Sequence, residues 1–109
     1  TSQRVEYRLA SADSNPYLAM SVALGSGLWG IENKIEPTKS ISEGAEKRGI
    51  KPLPSSLGDA STRLRKSKVA RLLFGSEFIE HFCTTREKEE ELHRNQVDEW
   101  QLQRYFEII

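Results

Sequence analysis

The chain has 109 residues, of which sixteen are Lys or Arg and sixteen are Asp or Glu, so its formal net charge is zero. That balance gives no overall field for holding nucleic acid or an anionic membrane, and the length supports one small core at most. Cys83 is the single cysteine, which excludes an internal disulfide; with Phe78 and Phe82 nearby it reads as a buried thiol of a reducing, cytoplasmic compartment. The start shows no basic segment followed by an apolar run and a small-residue cleavage site, so no secretory signal is expected. The longest uncharged stretch, 14–31, is broken by Pro16, Gly25, Gly27 and Gly30, whereas a bilayer needs ~20 apolar residues, so no membrane span is expected.

Residues 3–9 alternate in character and predict a β-strand. A side-chain period of two places Arg4, Glu6 and Arg8 on one face and Val5, Tyr7 and Leu9 on the other. One carboxylate then lies between two guanidiniums, a combination suited to phosphate and metal chemistry. Glu6 offers a hard oxygen ligand to Mg²⁺ or Mn²⁺, and each arginine can grip a phosphoryl or carboxylate group with two parallel hydrogen bonds. The plainer alternative is an exposed edge strand whose charges pair along the surface.

A helix is predicted over 16–34. Asn15 can cap its first turn, and Pro16 falls at N1, where the missing N–H costs nothing. Tyr17, Met20, Leu24, Leu28, Ile31 and Ile35 form one apolar stripe, Leu18, Val22 and Trp29 a second, and Ala19, Ala23, Ser26 and Gly30 a small-residue third. A helix apolar on every side is of the kind that is buried, and 109 residues supply few elements to cover it, so this chain alone is expected to expose apolar patches. Gly25, Gly27 and Gly30 match Gly-x-Gly-x-x-Gly in form only, because a dinucleotide fingerprint opens a helix and these glycines fall late in one.

Residues 36–56 carry Pro37, Gly44, Gly49, Pro52 and Pro54 among mixed charges and read as a surface loop, with one helical turn about 42–47. Ser56 opens a helical region over 57–74 that pauses near Lys66 and is stopped by Gly75. Its Arg63, Arg65, Lys66, Lys68 and Arg71 read as a solvated basic face, or as a contact for an acidic neighbour. A further helix is predicted over 76–96, with Ile79, Phe82 and Cys83 on its apolar face, and a last one over 98–107. Glu77 with His81 and Glu89 with His93 have i,i+4 spacing but lack the third ligand that would make a zinc site. The apolar ending, Trp100, Leu102, Tyr105, Phe106, Ile108 and Ile109, is expected to dock on something.

Three stretches in order carry a resemblance: Arg4-Val5-Glu6-Tyr7-Arg8, then Asn15-Pro16-Tyr17-Leu18 opening a small-residue helix, then Gly30-Ile31-Glu32-Asn33-Lys34. Together they resemble the C-terminal part of the glutamine synthetase catalytic domain, and Trp100 with Tyr105 extends the likeness toward the end. The resemblance implies an α+β fold, here one N-terminal strand followed by mostly helices, and it implies that 1–109 is a C-terminal fragment of that domain. It implies an ATP-dependent ligase that joins a glutamate-like carboxylate to ammonia or an amine through an acyl phosphate, and a cytoplasmic homo-oligomer. By the same resemblance Glu6 is a metal ligand for Mg²⁺ or Mn²⁺, Arg4 binds nucleotide phosphates, and Arg8 is the catalytic arginine directed at the substrate carboxylate. The run from Asp98 to Tyr105 is closer to the γ-glutamyl-amine ligase branch. Adenylylation of a loop tyrosine, known in one branch, is not expected, since no Tyr lies between Tyr17 and Tyr105. The fragment alone is expected to be inactive. The alternative reading is a non-catalytic helical interaction or structural module derived from the same fold.

Overall fold

The computed structural model describes residues 2–4, 6–38, 51–106 and 108. It divides into two compact units, Thr1–Glu43 and Gly44–Ile109. The described residues contain five helices: α1 Pro16–Glu32, α2 Leu57–Arg65, α3 Lys68–Phe74, α4 Ser76–Arg94 and α5 Glu99–Tyr105. None of them is long and apolar enough to cross a membrane.

The expected α+β class is corrected. Among the described residues there is no strand and no sheet, so the strand predicted over 3–9 does not form. Alternation of side chains states which face a strand would bury, but a strand exists only when a neighbour accepts and donates its ladder hydrogen bonds. Without that neighbour Tyr7 and Leu9, assigned to a core face, stand exposed. Val5, and the helical turn expected at 42–47, lie outside the described residues.

In the first unit, α1 begins where its side chains dictate. Asn15 Oδ1 accepts from the backbone N–H of Tyr17 at 3.0 Å and of Leu18 at 3.3 Å, and Pro16 takes N1. The other end closes in a Schellman arrangement. Lys34 N–H donates to the Ile31 carbonyl at 3.1 Å and Ile35 N–H to the Gly30 carbonyl at 2.9 Å, while Lys34 adopts φ 52°. Asn33 adds a side-chain bond, Nδ2 to the Trp29 carbonyl at 2.8 Å. The helix stops two residues short of 34 because Lys34 supplies the left-handed turn, which side-chain propensity does not announce. Gly25, Gly27 and Gly30 all fall inside α1, far from its N-terminal amides. No residue of α1 is buried, and Tyr17, Leu24 and Ile31 remain 76%, 69% and 75% exposed.

The second unit is built on α2 against α4. Ser56 caps α2, its Oγ accepting from Asp59 N–H at 3.0 Å, and Ser67 restarts the chain as α3 by accepting from Ala70 N–H at 3.1 Å. The α2–α3 break is therefore a second capping event, since Ser67 competes with the preceding helix for its own backbone. Gly75, at φ 82° and ψ 147°, turns α3 into α4 in a region reserved almost wholly for glycine.

Among the described residues the buried ones are Ser61 of α2 and Ile79 and Cys83 of α4, and Ser61 and Cys83 meet where the two helices cross. Gly58 faces Glu90, Ser61 faces Cys83 and Glu87, and Arg65 faces Glu80, so the two helices run antiparallel. Small residues on α2 permit this closeness. A Cβ on Gly58 would collide with the Glu90 carboxylate, the far end of a movable side chain. On another side of α4 the rings of Phe74, Phe78 and Phe82 follow one another at 6.3 Å and 5.8 Å, and the Arg86 guanidinium lies 5.5 Å from the Phe82 ring centre. α5 is opened by a reciprocal capping box between Asp98 and Gln101.

Candidate functional site

The charged residues before α1 are brought together in part. Arg8 forks onto Glu6, with Nε 2.9 Å from Oε1 and Nη2 donating to Oε2 at 3.0 Å. Both carboxylate oxygens are thus engaged by one guanidinium, the planar two-point geometry that arginine favours. The side chains are 63% exposed for Glu6 and 80% for Arg8. An exposed pair of this kind is worth about 0–1 kcal/mol, so either partner is readily released to a competing ligand. Arg4 is exposed, and among the described residues no ion pair joins it to Glu6. The three residues assigned by sequence therefore resolve into one closed pair and one exposed cation.

Between this pair and α1 the chain makes a tight turn, with Ser14 N–H donating to the Ser11 carbonyl at 3.1 Å. The Ser11 hydroxyl donates to Asp13, and this bond, helped by Asp13's own N–H, holds the Asp13 carboxyl below its usual range. Asp13 precedes the Asn15 cap by two residues, so the turn sets where the charged segment ends and the helix begins.

A divalent cation needs several oxygen or nitrogen donors. Among the described residues no group of three or more His, Cys, Asp or Glu side chains converges, so Glu6 with these residues alone does not fit Mg²⁺ or Mn²⁺. The pairs Glu77–His81 and Glu89–His93 acquire no third ligand among them either.

The basic cluster on α2 and α3 divides between its two expected readings: Arg63, Lys66 and Lys68 are exposed, while Arg65 and Arg71 meet acidic neighbours on α4. Arg65 and Arg71 are only 30% and 29% exposed and turn inward to α4. Arg65 contacts Glu80 and donates from Nη2 to Glu87 Oε2 at 2.8 Å, while Arg71 pairs with Glu80 and donates from Nε to the Arg65 carbonyl at 2.9 Å. Arg71 thereby satisfies an orphan carbonyl at the end of α2. The Arg71 hydrogen bond is the main cause that lowers the Glu80 carboxyl, with the Arg65 and Arg71 charges assisting against partial burial. Glu87's hydrogen bond likewise raises Arg65 above its ordinary value. Arg65 lies fifteen residues from Glu80 and twenty-two from Glu87, separations that no single-helix periodicity exposes.

Residues 1–105 match the family described as glutamine synthetase, catalytic domain, and the chain belongs to the glutamine synthetase family. It is 40% identical over 112 residues to a glutamate–isopropylamine ligase of a Pseudomonas species, across all of this chain and 24% of that protein. It is 39% identical to type-1 glutamine synthetase 2 of Dictyostelium discoideum, covering 97% of this chain and 21% of the relative. To the glutamine synthetase of Pyrococcus woesei it is 37% identical, over 94% of this chain and 28% of that enzyme. The chain thus spans about a quarter of the length of these relatives.

Proposed function

We propose that the chain is the C-terminal part of the catalytic domain of an ATP-dependent carboxylate–amine ligase, which forms glutamine or a γ-glutamyl amide. ATP would phosphorylate the γ-carboxylate of glutamate or a related acid, and ammonia or an amine would then displace phosphate from the acyl phosphate. Glu6 serves as one ligand to Mg²⁺ or Mn²⁺, the other ligands coming from the rest of the longer protein; Arg4 holds nucleotide phosphates and Arg8 the substrate carboxylate. The parent protein acts in the cytoplasm as a homo-oligomer.

The observation that carries this reading is the fork of Arg8 on Glu6, at 2.9 and 3.0 Å, in a segment that falls within the family match. In that pair Arg8 already grips a carboxylate in the geometry that it would use on a substrate. Substrate choice follows the relatives' names, glutamine synthetase and glutamate–isopropylamine ligase, so ammonia and small alkylamines are the nucleophiles to test.

The test has two arms. The 109-residue chain by itself should neither hydrolyse ATP nor form γ-glutamyl products, because one carboxylate and two arginines cannot enclose a metal–nucleotide complex. The full-length protein should make γ-glutamyl amide only with ATP, Mg²⁺ or Mn²⁺, glutamate and an amine together. Ordered turnover by the isolated chain would defeat the proposal that it is a portion of a larger site. Failure of the full-length protein with every amine would favour the second reading, a non-catalytic structural module, which the ion-paired α2–α4 unit also accommodates.

A further inference from the structure

We draw no further inference here: the strongest candidate, the uncharged apolar surface of α1 running through Tyr17, Leu24, Leu28 and Ile31, carries nothing because nothing in the structure shows what covers it.

Discussion

Ser61 and Cys83 bond to each other's backbone across the antiparallel crossing of α2 and α4: Ser61 Oγ donates to the Cys83 carbonyl at 3.3 Å, and Cys83 Sγ donates to the Ser61 carbonyl at 3.5 Å. Both residues are buried, and both are small enough to let the two backbones approach. Replacing Ser61 with Leu forces bulk into this contact, and overpacking of a tight site typically costs about 1–3 kcal/mol. Ser61→Ala only deletes a hydroxyl whose acceptors retain other partners, a loss nearer ~1 kcal/mol. Urea unfolding of the two variants should rank them in that order; a Leu variant as stable as the parent would show that the crossing is loose.

Acid should weaken the clasp between α3 and α4. Glu80 is lowered from its ordinary value of 4.5, chiefly by the Arg71 hydrogen bond. A carboxyl lowered by folding contributes stability that is fully present above 4.5 and lost as pH falls through its lower folded value. Arg65, raised by the hydrogen bonds it donates to Glu87, stays charged throughout. Thermal unfolding of the parent and of Glu80→Gln should therefore differ most at neutral pH and converge below the ordinary carboxyl range. A gap that persists unchanged at pH 3 would assign the stabilisation to packing and not to charge.

Two helix ends make opposite predictions. Gly75 holds φ 82° with ψ 147°, a conformation that costs a side-chain-bearing residue about 1–3 kcal/mol, so Gly75→Ala should lower the unfolding midpoint although nothing lies within 4 Å of the new Cβ. Lys34 holds φ 52° with a side chain already present, and Lys34→Gly relieves that strain, so it should be neutral or stabilising by up to ~1 kcal/mol. Denaturant midpoints for both variants check the contrast.

Local chemistry was the readable part of this fold. Asn15, Pro16, Ser56 and Gly75 mark helix ends through a cap, a fixed φ or a left-handed turn, each a property of one or two adjacent residues. Partnership was not readable in the same way. The alternation of residues 3–9 named a buried face but could not supply the neighbouring strand that the face required, and the described residues contain none. Arg65 and Arg71 could be read as solvated or as facing an acidic neighbour, and the choice stayed open because their carboxylates belong to another helix, reached only once Gly75 has turned the chain. The same limit applies to the site. Spacing by two brought Glu6 and Arg8 within hydrogen-bonding reach, but it left Arg4 outside the pair.

The bare surface of α1 should be measurable. Tyr17, Met20, Leu24, Leu28 and Ile31 are all more than half exposed, and contiguous apolar patches of that kind are seldom left uncovered in soluble monomers. The isolated chain should bind a hydrophobic dye or self-associate in sedimentation, and Leu24→Glu with Leu28→Glu should reduce either signal. A monodisperse monomer that binds no dye would show that α1 is covered in solution.

The chemistry itself is placed by substitutions in the full-length protein. Glu6→Gln retains size and hydrogen bonding but removes the charge that would hold a cation; because Glu6 is exposed and its pair with Arg8 is weak, folding should survive while turnover collapses. Arg8→Ala should chiefly raise the KM for the carboxylate substrate, and Arg4→Ala the KM for ATP. On the proposed roles each arginine variant would forfeit a charge-assisted contact to its ligand, an expected effect on the order of 10²–10³ in kcat/KM. Thermal unfolding run beside each assay separates site loss from fold loss. If Glu6→Gln keeps near-normal turnover with Mg²⁺, Glu6 is no metal ligand. If it unfolds the protein, the Arg8–Glu6 fork is a structural clasp, and the substrate-binding part assigned to Arg8 falls with it.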